Sequence, residues 1–241
     1  MKAVGITDIG RCRKNNEDAY YVAEEGAPME HLYLVADGMG GCNAGEVASS
    51  GAIRAFLRYV EEHREEGMEI PDLIAGGFQA ANQDVFRQSN SASEFAEMGT
   101  TMVAAVIKED RVYIAYVGDS RAYLMRQGSL EAVTTDHSYV MELVKMGTIT
   151  KEEAAKHPKR NIITRAVGIK DTVEIDTVLE DVQAGDMLLL CTDGLSGMLR
   201  DEEMEAVLRA ELPLEKKAQK LVALANEHGG YDNISLVLIE I

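Results

Sequence analysis

The sequence lacks several features that would each assign a class of protein. Its three cysteines, Cys12, Cys42 and Cys191, are scattered and show no C-x-x-C spacing. This argues against a disulfide framework and a structural zinc site, and it fits a reducing compartment. No apolar run approaches the roughly 18 residues of a membrane span. Residues 1–8 lack the apolar core of a signal peptide. We therefore expect a cytoplasmic protein with no membrane partner.

Basic residues are also scarce. The chain has 24 Lys and Arg against 41 Asp and Glu, a net charge of −17. Binding to a nucleic-acid backbone requires a basic face, so we expect no nucleic-acid partner. The excess acid either forms a self-repelling surface or contributes in part to a cation site, and both interpretations stay open. With 46% apolar residues and no break in composition, one domain over residues 1–241 is the simplest organisation.

Apolar runs that stop at an aspartate recur along the chain. The runs are residues 32–36, 112–117 and 187–191, and the acids that follow them are Asp37, Asp119 and Asp193. A fourth acid, Asp232, stands just before the last apolar run. Buried strands that end in this way can bring their carboxylates to one edge of a sheet. Charges crowded together out of water need cations, so the pattern favours a metal site.

The type of ligand restricts the metal. Mg²⁺ and Mn²⁺ prefer oxygen ligands, which the four acids and the Gly38 carbonyl would supply, whereas zinc would favour His or Cys. A single Asp-Gly is most simply a turn. Three apolar runs that each end on an acid in a Gly- or Ser-bearing turn favour the metal interpretation, although spacing alone leaves both open.

A phosphate-binding group is also present. Arg13 lies close to Glu17 and Asp18. Its guanidinium can bind two phosphate oxygens at once, which the neighbouring Lys14 cannot do. The alternative is that Arg13 only balances the two acids at the surface.

The pattern of apolar residues predicts the main elements. Helices are expected to begin near Gly45 and at Pro71, and a capping box at Thr150 opens a third helix. Four strands between residues 102 and 134 have short connections and predict an antiparallel meander, the last strand covering 130–134. A further strand is expected over residues 173–179.

Six short motifs occur in a fixed order along the chain. They are Arg13-x-x-Asn16-Glu17-Asp18, Asp37-Gly38-Met39-Gly40-Gly41, Met98-Gly99-Thr100-Thr101, Gly118-Asp119-Ser120-Arg121-Ala122-Tyr123, Thr192-Asp193-Gly194-Leu195 and Asp232-Asn233-Ile234-Ser235. Together they resemble the successive motifs of the metal-dependent (type 2C) Ser/Thr protein phosphatases, particularly the compact bacterial members. The similarity covers residues 7–240, nearly the whole chain.

The resemblance implies an α+β fold, a four-layer α/β/β/α sandwich of two antiparallel sheets flanked by helices. It implies a single phosphatase catalytic domain, residues 1–241, with a flap at about 138–160 that we expect to be mobile.

The resemblance also assigns roles in the site. Asp37 would bridge two Mn²⁺ or Mg²⁺ ions, with the Gly38 carbonyl on one of them. The remaining roles fall to Asp193 and Asp232 (completing the ligands of the other ion), Glu17 and Asp18 (mainly through water), Asp119 (a weaker third ion, with Asp193), Arg13 (substrate phosphate) and Asn233 (steadying the Asp232 turn).

The implied activity is hydrolysis of phosphoserine and phosphothreonine on proteins by direct attack of a hydroxide that bridges the two ions. The implied partners are phosphorylated proteins, including a bacterial Ser/Thr kinase that the phosphatase would oppose, and a monomer is expected. Two alternatives stay open: a catalytically silent relative that binds phosphoproteins, and a metal phosphatase of small molecules.

One residue departs from the family pattern. Some relatives carry a His two residues after the bridging acid, proposed to protonate the leaving group, and this chain has Met39 there. A thioether cannot donate a proton, so that proton must come from another group. Among the histidines, His137 precedes a predicted helix and is interpreted as structural.

Overall fold

The structure, a computed structural model, describes residues 1–40 and 44–241. Gly41 and Cys42, which belong to the predicted glycine turn and to the cysteine set, lie outside the described residues. The strands are β1 (Lys2–Asp8), β2 (Asp18–Val22), β3 (Leu32–Met39), β4 (Gly99–Thr100), β5 (Met102–Lys108), β6 (Arg111–Val117), β7 (Arg121–Arg126), β8 (Ser129–Ala132), β9 (Asp176–Asp181), β10 (Met187–Cys191) and β11 (Ile234–Glu240). The helices are α1 (Ala44–His63), α2 (Ile70–Ser89), α3 (Tyr139–Lys145), α4 (Lys151–Ala155), α5 (Asp193–Ser196), α6 (Asp201–Arg209) and α7 (Leu214–Glu227).

The strands form two antiparallel sheets. The first has the order β1-β11-β10-β7-β8 and the second the order β2-β3-β5-β6-β9, with β4 paired to the end of β3. The last strand, β11, lies between β1 and β10, so residues near the two ends of the sequence become neighbours.

Apolar side chains fill three successive layers. Between the sheets, Val35 and Ile114 of the second sheet pack in one cluster with Leu190 of the first. Helices α1 and α2 cover the outer face of the second sheet, and α6 and α7 cover the outer face of the first. The central strands β3, β5, β10 and β11 are buried on both faces, and each of them is a near-continuous apolar run. The four-layer α/β/β/α prediction is confirmed.

The predicted meander is wrong at its centre. β5 pairs with β6 and β7 pairs with β8, but β6 and β7 lie in different sheets. The short link at Gly118 carries the chain from one sheet to the other with φ +107°, a left-handed conformation that favours glycine. Two bounds also differ: β8 ends at Ala132, and β9 begins at Asp176.

The helix starts follow the sequence signals. α1 begins one residue before Gly45, and α2 carries Pro71 at its start. Thr150 and Glu153 form the predicted capping box of α4. Helices α3 and α4 occupy the proposed flap, whose mobility stays a prediction. No helix in the described part of the chain has the length and apolar character needed to cross a membrane.

A buried asparagine fixes the segment that returns from the proposed flap to β9. Asn82 of α2 is fully buried and donates to the carbonyls of Lys170 and Asp171 at 2.9 and 3.2 Å. Its Oδ1 accepts from the Gly168 amide at 2.8 Å. One side chain therefore holds three backbone groups of this segment, of which the Gly168 amide is buried.

We expect Asn82→Ala to lower the free energy of unfolding by about 2 kcal/mol, because it leaves the buried Gly168 amide and two carbonyls without their side-chain partner. Gln79→Ala, one turn earlier on the same helix face, removes a single bond to the Val173 carbonyl and should cost about 1 kcal/mol. Urea unfolding of both variants measures the difference. Equal losses would contradict the account of Asn82.

Candidate metal and phosphate site

The predicted site residues converge on one cavity of about 300 Å³. The described residues that line it are Arg13, Glu17, Asp37, Gly38, Met39, Gly40, Thr101, Asp119, Asn161, Ile163, Asp193, Asp232 and Asn233. Residues 13 and 233 are far apart in the sequence. They meet because β11, which follows residue 233, pairs with β1 near the start of the chain. Every predicted site residue except Asp18 lines this cavity.

The acids come from both sheets. Asp37 lies in β3 and Asp119 follows β6, in the second sheet; Asp193 follows β10 and Asp232 precedes β11, in the first. The expectation that they meet at one edge of a single sheet is therefore wrong. They meet where the ends of two stacked sheets face each other, which lets acids approach from opposite sides.

Asp18 lies behind the cavity. It is only 9% exposed and is the cross-strand neighbour of Asp37 in the β2–β3 pair. Thr192 donates its hydroxyl proton to Asp18 Oδ2 at 2.9 Å. Asp18 Oδ1 and Asp193 Oδ1 are buried without any hydrogen-bond partner. Buried carboxylate oxygens without partners are costly, so both point to a missing donor or cation.

Burial and mutual repulsion raise the pKa values of these acids. Removal from water raises the pKa of Asp18 to about 7 and that of Asp119 to about 7. The pKa of Asp37 lies well above its ordinary value, first through desolvation and then through the charges of Asp18, Asp193 and Asp119. The pKa of Asp193 is raised by the same burial. Repulsion between the carboxylates and their burial disfavour the ionised form, so a bound cation would stabilise this site.

Two threonines hold the Asp37 backbone, a role that the sequence did not predict. The Asp37 amide donates to Thr101 Oγ1 at 3.0 Å, and Thr100 Oγ1 donates to the Asp37 carbonyl at 2.8 Å. Thr101 Oγ1 also lies 2.7 Å from Ser120 Oγ. The sequence marks them only as part of the motif Met98-Gly99-Thr100-Thr101, because their hydrogen-bond partners are distant in the sequence.

Asn233 joins the two ends of the chain beside Asp232. Its Oδ1 accepts from the Glu17 amide at 2.8 Å, and its Nδ2 donates to the carbonyls of Ile9 and Asn15 at 2.9 and 3.0 Å. Its own amide donates to Asp232 Oδ1 at 2.8 Å. The side chain therefore holds the segment that carries Arg13 and Glu17 against the Asp232 turn.

Arg13 binds an acid of the site. Its Nη2 lies 2.6 Å from Asp232 Oδ2, and this pair raises the pKa of the guanidinium. The Arg13 side chain is 49% exposed, so one side of the guanidinium faces solvent at the cavity mouth.

Gly38 must be a glycine for reasons of space. A Cβ there would overlap the Gly45 carbonyl oxygen and approach the Glu17 carbonyl. The Gly38 amide donates to the Glu17 carbonyl at 3.1 Å. This close packing fixes the backbone beside Asp37, where the Gly38 carbonyl was predicted as a ligand.

The donor set fits hard divalent cations. Within residues 1–40 and 44–241, no three His, Cys, Asp or Glu side chains form a preassembled ligand cluster. Arg13 pairs with Asp232, and burial together with the charges of Asp18, Asp193 and Asp119 raises the pKa of Asp37. Carboxylates with raised pKa values and unpartnered oxygens suit Mg²⁺ or Mn²⁺, which take oxygen ligands and retain waters. The described lining contains no histidine or cysteine, so zinc is disfavoured.

Known proteins share this arrangement. A family model described as protein phosphatase 2C matches residues 11–230. The chain is 42% identical over 242 residues to a serine/threonine phosphatase of Listeria monocytogenes, covering 100% of this chain and 96% of that protein. The crystal structure of the Mycobacterium tuberculosis serine/threonine phosphatase PstP superposes with a TM-score of 0.91 at 35% identity, covering 100% of this chain and 98% of that one.

One similar structure holds metal. It is the catalytic domain of the phosphatase PstP in complex with two manganese ions, with a TM-score of 0.86 at 34% identity, covering 99% of this chain and 97% of that chain. The four-layer sandwich of two antiparallel sheets flanked by helices is thus the fold of a class of phosphatases. The chain belongs to the protein phosphatase 2C family of serine/threonine protein phosphatases.

The raised pKa values predict an unusual pH dependence of the metal-free protein. Between the ordinary Asp value of 3.8 and the value of about 7 for Asp18 and Asp119, the folded chain binds more protons than the unfolded chain. Stability therefore falls as pH rises through this window. We expect the melting temperature in EDTA to be lower at about pH 8 than at about pH 5.5, and Mn²⁺ to restore it most at the higher pH.

Asp37→Asn removes one of these charges. It should raise the melting temperature of the metal-free protein at the higher pH and reduce the stabilisation by Mn²⁺. Glu62→Gln, an exposed acid on α1, is the matched control and should change neither. A steeper pH dependence in Asp37→Asn would contradict the electrostatic account.

Proposed function

We propose that this chain is a Mn²⁺- or Mg²⁺-dependent phosphatase that removes phosphate from phosphoserine and phosphothreonine of proteins. The observation that carries the proposal is the meeting of four acids from both sheets, with buried oxygens that have no partner, beside a guanidinium. Membership of the phosphatase family supports the same reaction.

We propose a separate role in cation binding for each acid. Asp37, Asp193 and Asp232, with the Gly38 carbonyl, would hold two cations. Such cations activate water for attack on phosphorus and neutralise phosphoryl oxygens. Asp119 would hold a weaker third ion with Asp193. Asp18 lies behind the cavity, and Thr192 already donates to its Oδ2, so Asp18 would act mainly through water. Glu17 lines the cavity and would also act mainly through water.

Arg13 is placed to bind the substrate phosphate. Its guanidinium has five donors, and Asp232 accepts at its Nη2. The remaining N–H groups and the exposed part of the side chain can face a phosphate at the cavity mouth. If Asp232 held a cation, its attraction for Arg13 would be weaker, and the guanidinium would be free to pair with a negatively charged substrate.

The leaving alkoxide needs a proton that Met39 cannot supply. Met39 lines the cavity, and the described lining contains no imidazole. The lining also carries carboxylates, the amides of Asn161 and Asn233 and the hydroxyl of Thr101. We propose that the proton reaches the leaving group from water ordered by such groups.

The wider role of the enzyme follows from its chemistry. The acidic cavity, with the half-exposed Arg13 beside Asp232, is open to a phosphorylated side chain of another protein. We propose phosphoproteins as substrates, including a Ser/Thr kinase that the enzyme opposes. One catalytic domain acting as a monomer in the cytoplasm, with residues 138–160 as a movable flap, completes the proposal.

The first test is metal-dependent hydrolysis. With Mn²⁺ we expect release of phosphate from p-nitrophenyl phosphate and from phosphothreonine peptides, and none in EDTA. Asp37→Asn and Asp193→Asn should each lower kcat by about 100-fold or more, because both weaken charge stabilisation at the reacting phosphate. Full activity in EDTA would overturn the proposal. Turnover of small metabolites that outcompetes every phosphopeptide would assign a different substrate class.

The second test concerns Arg13. Arg13→Lys keeps the charge but loses two-point binding, so we expect kcat/KM to fall by about 10-fold, and by about 100-fold in Arg13→Ala. Arg11→Lys is the matched control because Arg11 is exposed in the same loop and does not line the cavity. If Arg13→Ala keeps wild-type kinetics, Arg13 does not bind phosphate.

A further inference from the structure

Two consecutive residues, Asp136 and His137, hold both sides of the turn that carries Asp119. Asp136 forms a two-point ion pair with Arg121, with both N···O distances 2.7 Å. His137 holds the other side: its amide donates to the Gly118 carbonyl at 2.9 Å, and the Gly118 amide donates to His137 Nδ1 at 3.0 Å. The residues before and after the Asp119–Ser120 pair are therefore both fixed.

The same histidine closes the base of the proposed flap. The Thr164 amide donates to the His137 carbonyl at 2.8 Å, and Ser138 forms a bridge with Ile163. The Tyr139 amide donates to the Ile162 carbonyl at 2.8 Å. Residues 138–163 thus leave and rejoin the body of the protein at His137, directly beside the Asp119 turn.

The ring of His137 is held in one state. It is 4% exposed and stacks on Tyr116, with ring centroids 5.1 Å apart and planes inclined by 9°. Because Nδ1 accepts from an amide, Nε2 carries the proton of the neutral ring. Asp176 Oδ2 and Arg165 Nη1 each lie 3.2 Å from Nε2, and of these two only Asp176 can accept that proton. Asp176 is fixed in turn by Arg165 at 2.6 Å. Burial lowers the pKa of His137, which favours this neutral form.

The turn held by His137 also contacts the Asp37 side of the cavity. Ser120 Oγ lies 2.7 Å from Thr101 Oγ1, which accepts from the Asp37 amide at 3.0 Å. Ser120 and Thr101 are each 2% exposed. A shift of the Asp119 turn would therefore disturb a buried contact that supports Asp37.

We propose that His137 is a positioning residue: its imidazole locks the Asp119 turn to the base of the proposed 138–160 flap and so sets the cation affinity at Asp119. Local packing would require only a ring of similar size. The Gly118 amide donates to the ring at Nδ1, and the His137 backbone bonds both Gly118 and Thr164. These bonds link the flap to the acid. The cation site at Asp119 belongs to the proposed function, but amide exchange and Mn²⁺ binding are measured without the phosphatase reaction.

The test compares two substitutions. His137→Phe keeps the ring and its stacking on Tyr116 but removes the acceptor, whereas His137→Asn places an amide oxygen where Nδ1 lay. For His137→Phe we expect faster hydrogen exchange of the Gly118 amide and a 10- to 100-fold weaker Mn²⁺ affinity at the Asp119 site, the cost typical of losing a residue that orients a ligand. His137→Asn should restore most of both losses.

His63→Phe is the matched control, because His63 also stacks on a tyrosine, Tyr59, at 4.0 Å, but on α1. It should change neither readout. Combining His137→Phe with Asp119→Asn separates positioning from packing: if His137 acts through Asp119, it adds no further loss of Mn²⁺ affinity in the double variant. Additive losses, or wild-type Mn²⁺ affinity in His137→Phe, would overturn the inference.

A measurement on the unmodified protein decides the matter even if His137→Phe does not fold. Long-range ¹H–¹⁵N spectra should show an unprotonated Nδ1 and a protonated Nε2 for His137. A protonated Nδ1 would exclude the Gly118 bond and the inference with it. A protein that shows these ring signals and binds Mn²⁺ but hydrolyses no phosphate would refute the proposed function alone.

Discussion

Crowding of carboxylates out of water is the constraint on which this structure depends. Asp18, Asp37, Asp119 and Asp193 all have raised pKa values because the ends of two stacked sheets bring them together and remove them from water. Without cations such a site costs free energy, since like charges repel and two carboxylate oxygens lack partners. Either protonation of the acids or the binding of cations would remove this cost.

A network of hydrogen bonds keeps these acids from moving apart. Asn233 ties the N-terminal loop to the Asp232 turn, Thr192 holds Asp18, and Thr101 supports the Asp37 backbone. Asn233 bonds backbone groups of the N-terminal loop, whereas Thr101 and Thr192 bond backbone groups of the strands β3 and β11. These bonds hold the acids together against their mutual repulsion.

Sequence patterns predicted what local chemistry determines. The Asp turns, the helix start at Pro71 and the capping box at Thr150 are each written in a few adjacent residues. The crossing at Gly118 could not be predicted, because a short link does not say which sheet the next strand joins. Thr101 and Thr192 were missed as well: their partners Asp37 and Asp18 lie 64 and 174 residues away. The four-layer arrangement itself came from resemblance to a family.

The most direct test of the central claim is anomalous scattering from crystals grown with Mn²⁺. The account predicts two strong manganese peaks inside the cavity, each within ligand distance of Asp37 and one of them also near Asp193 and Asp232, with Arg13 released toward the cavity mouth. A cavity without manganese peaks, in which Arg13 still binds Asp232, would contradict it.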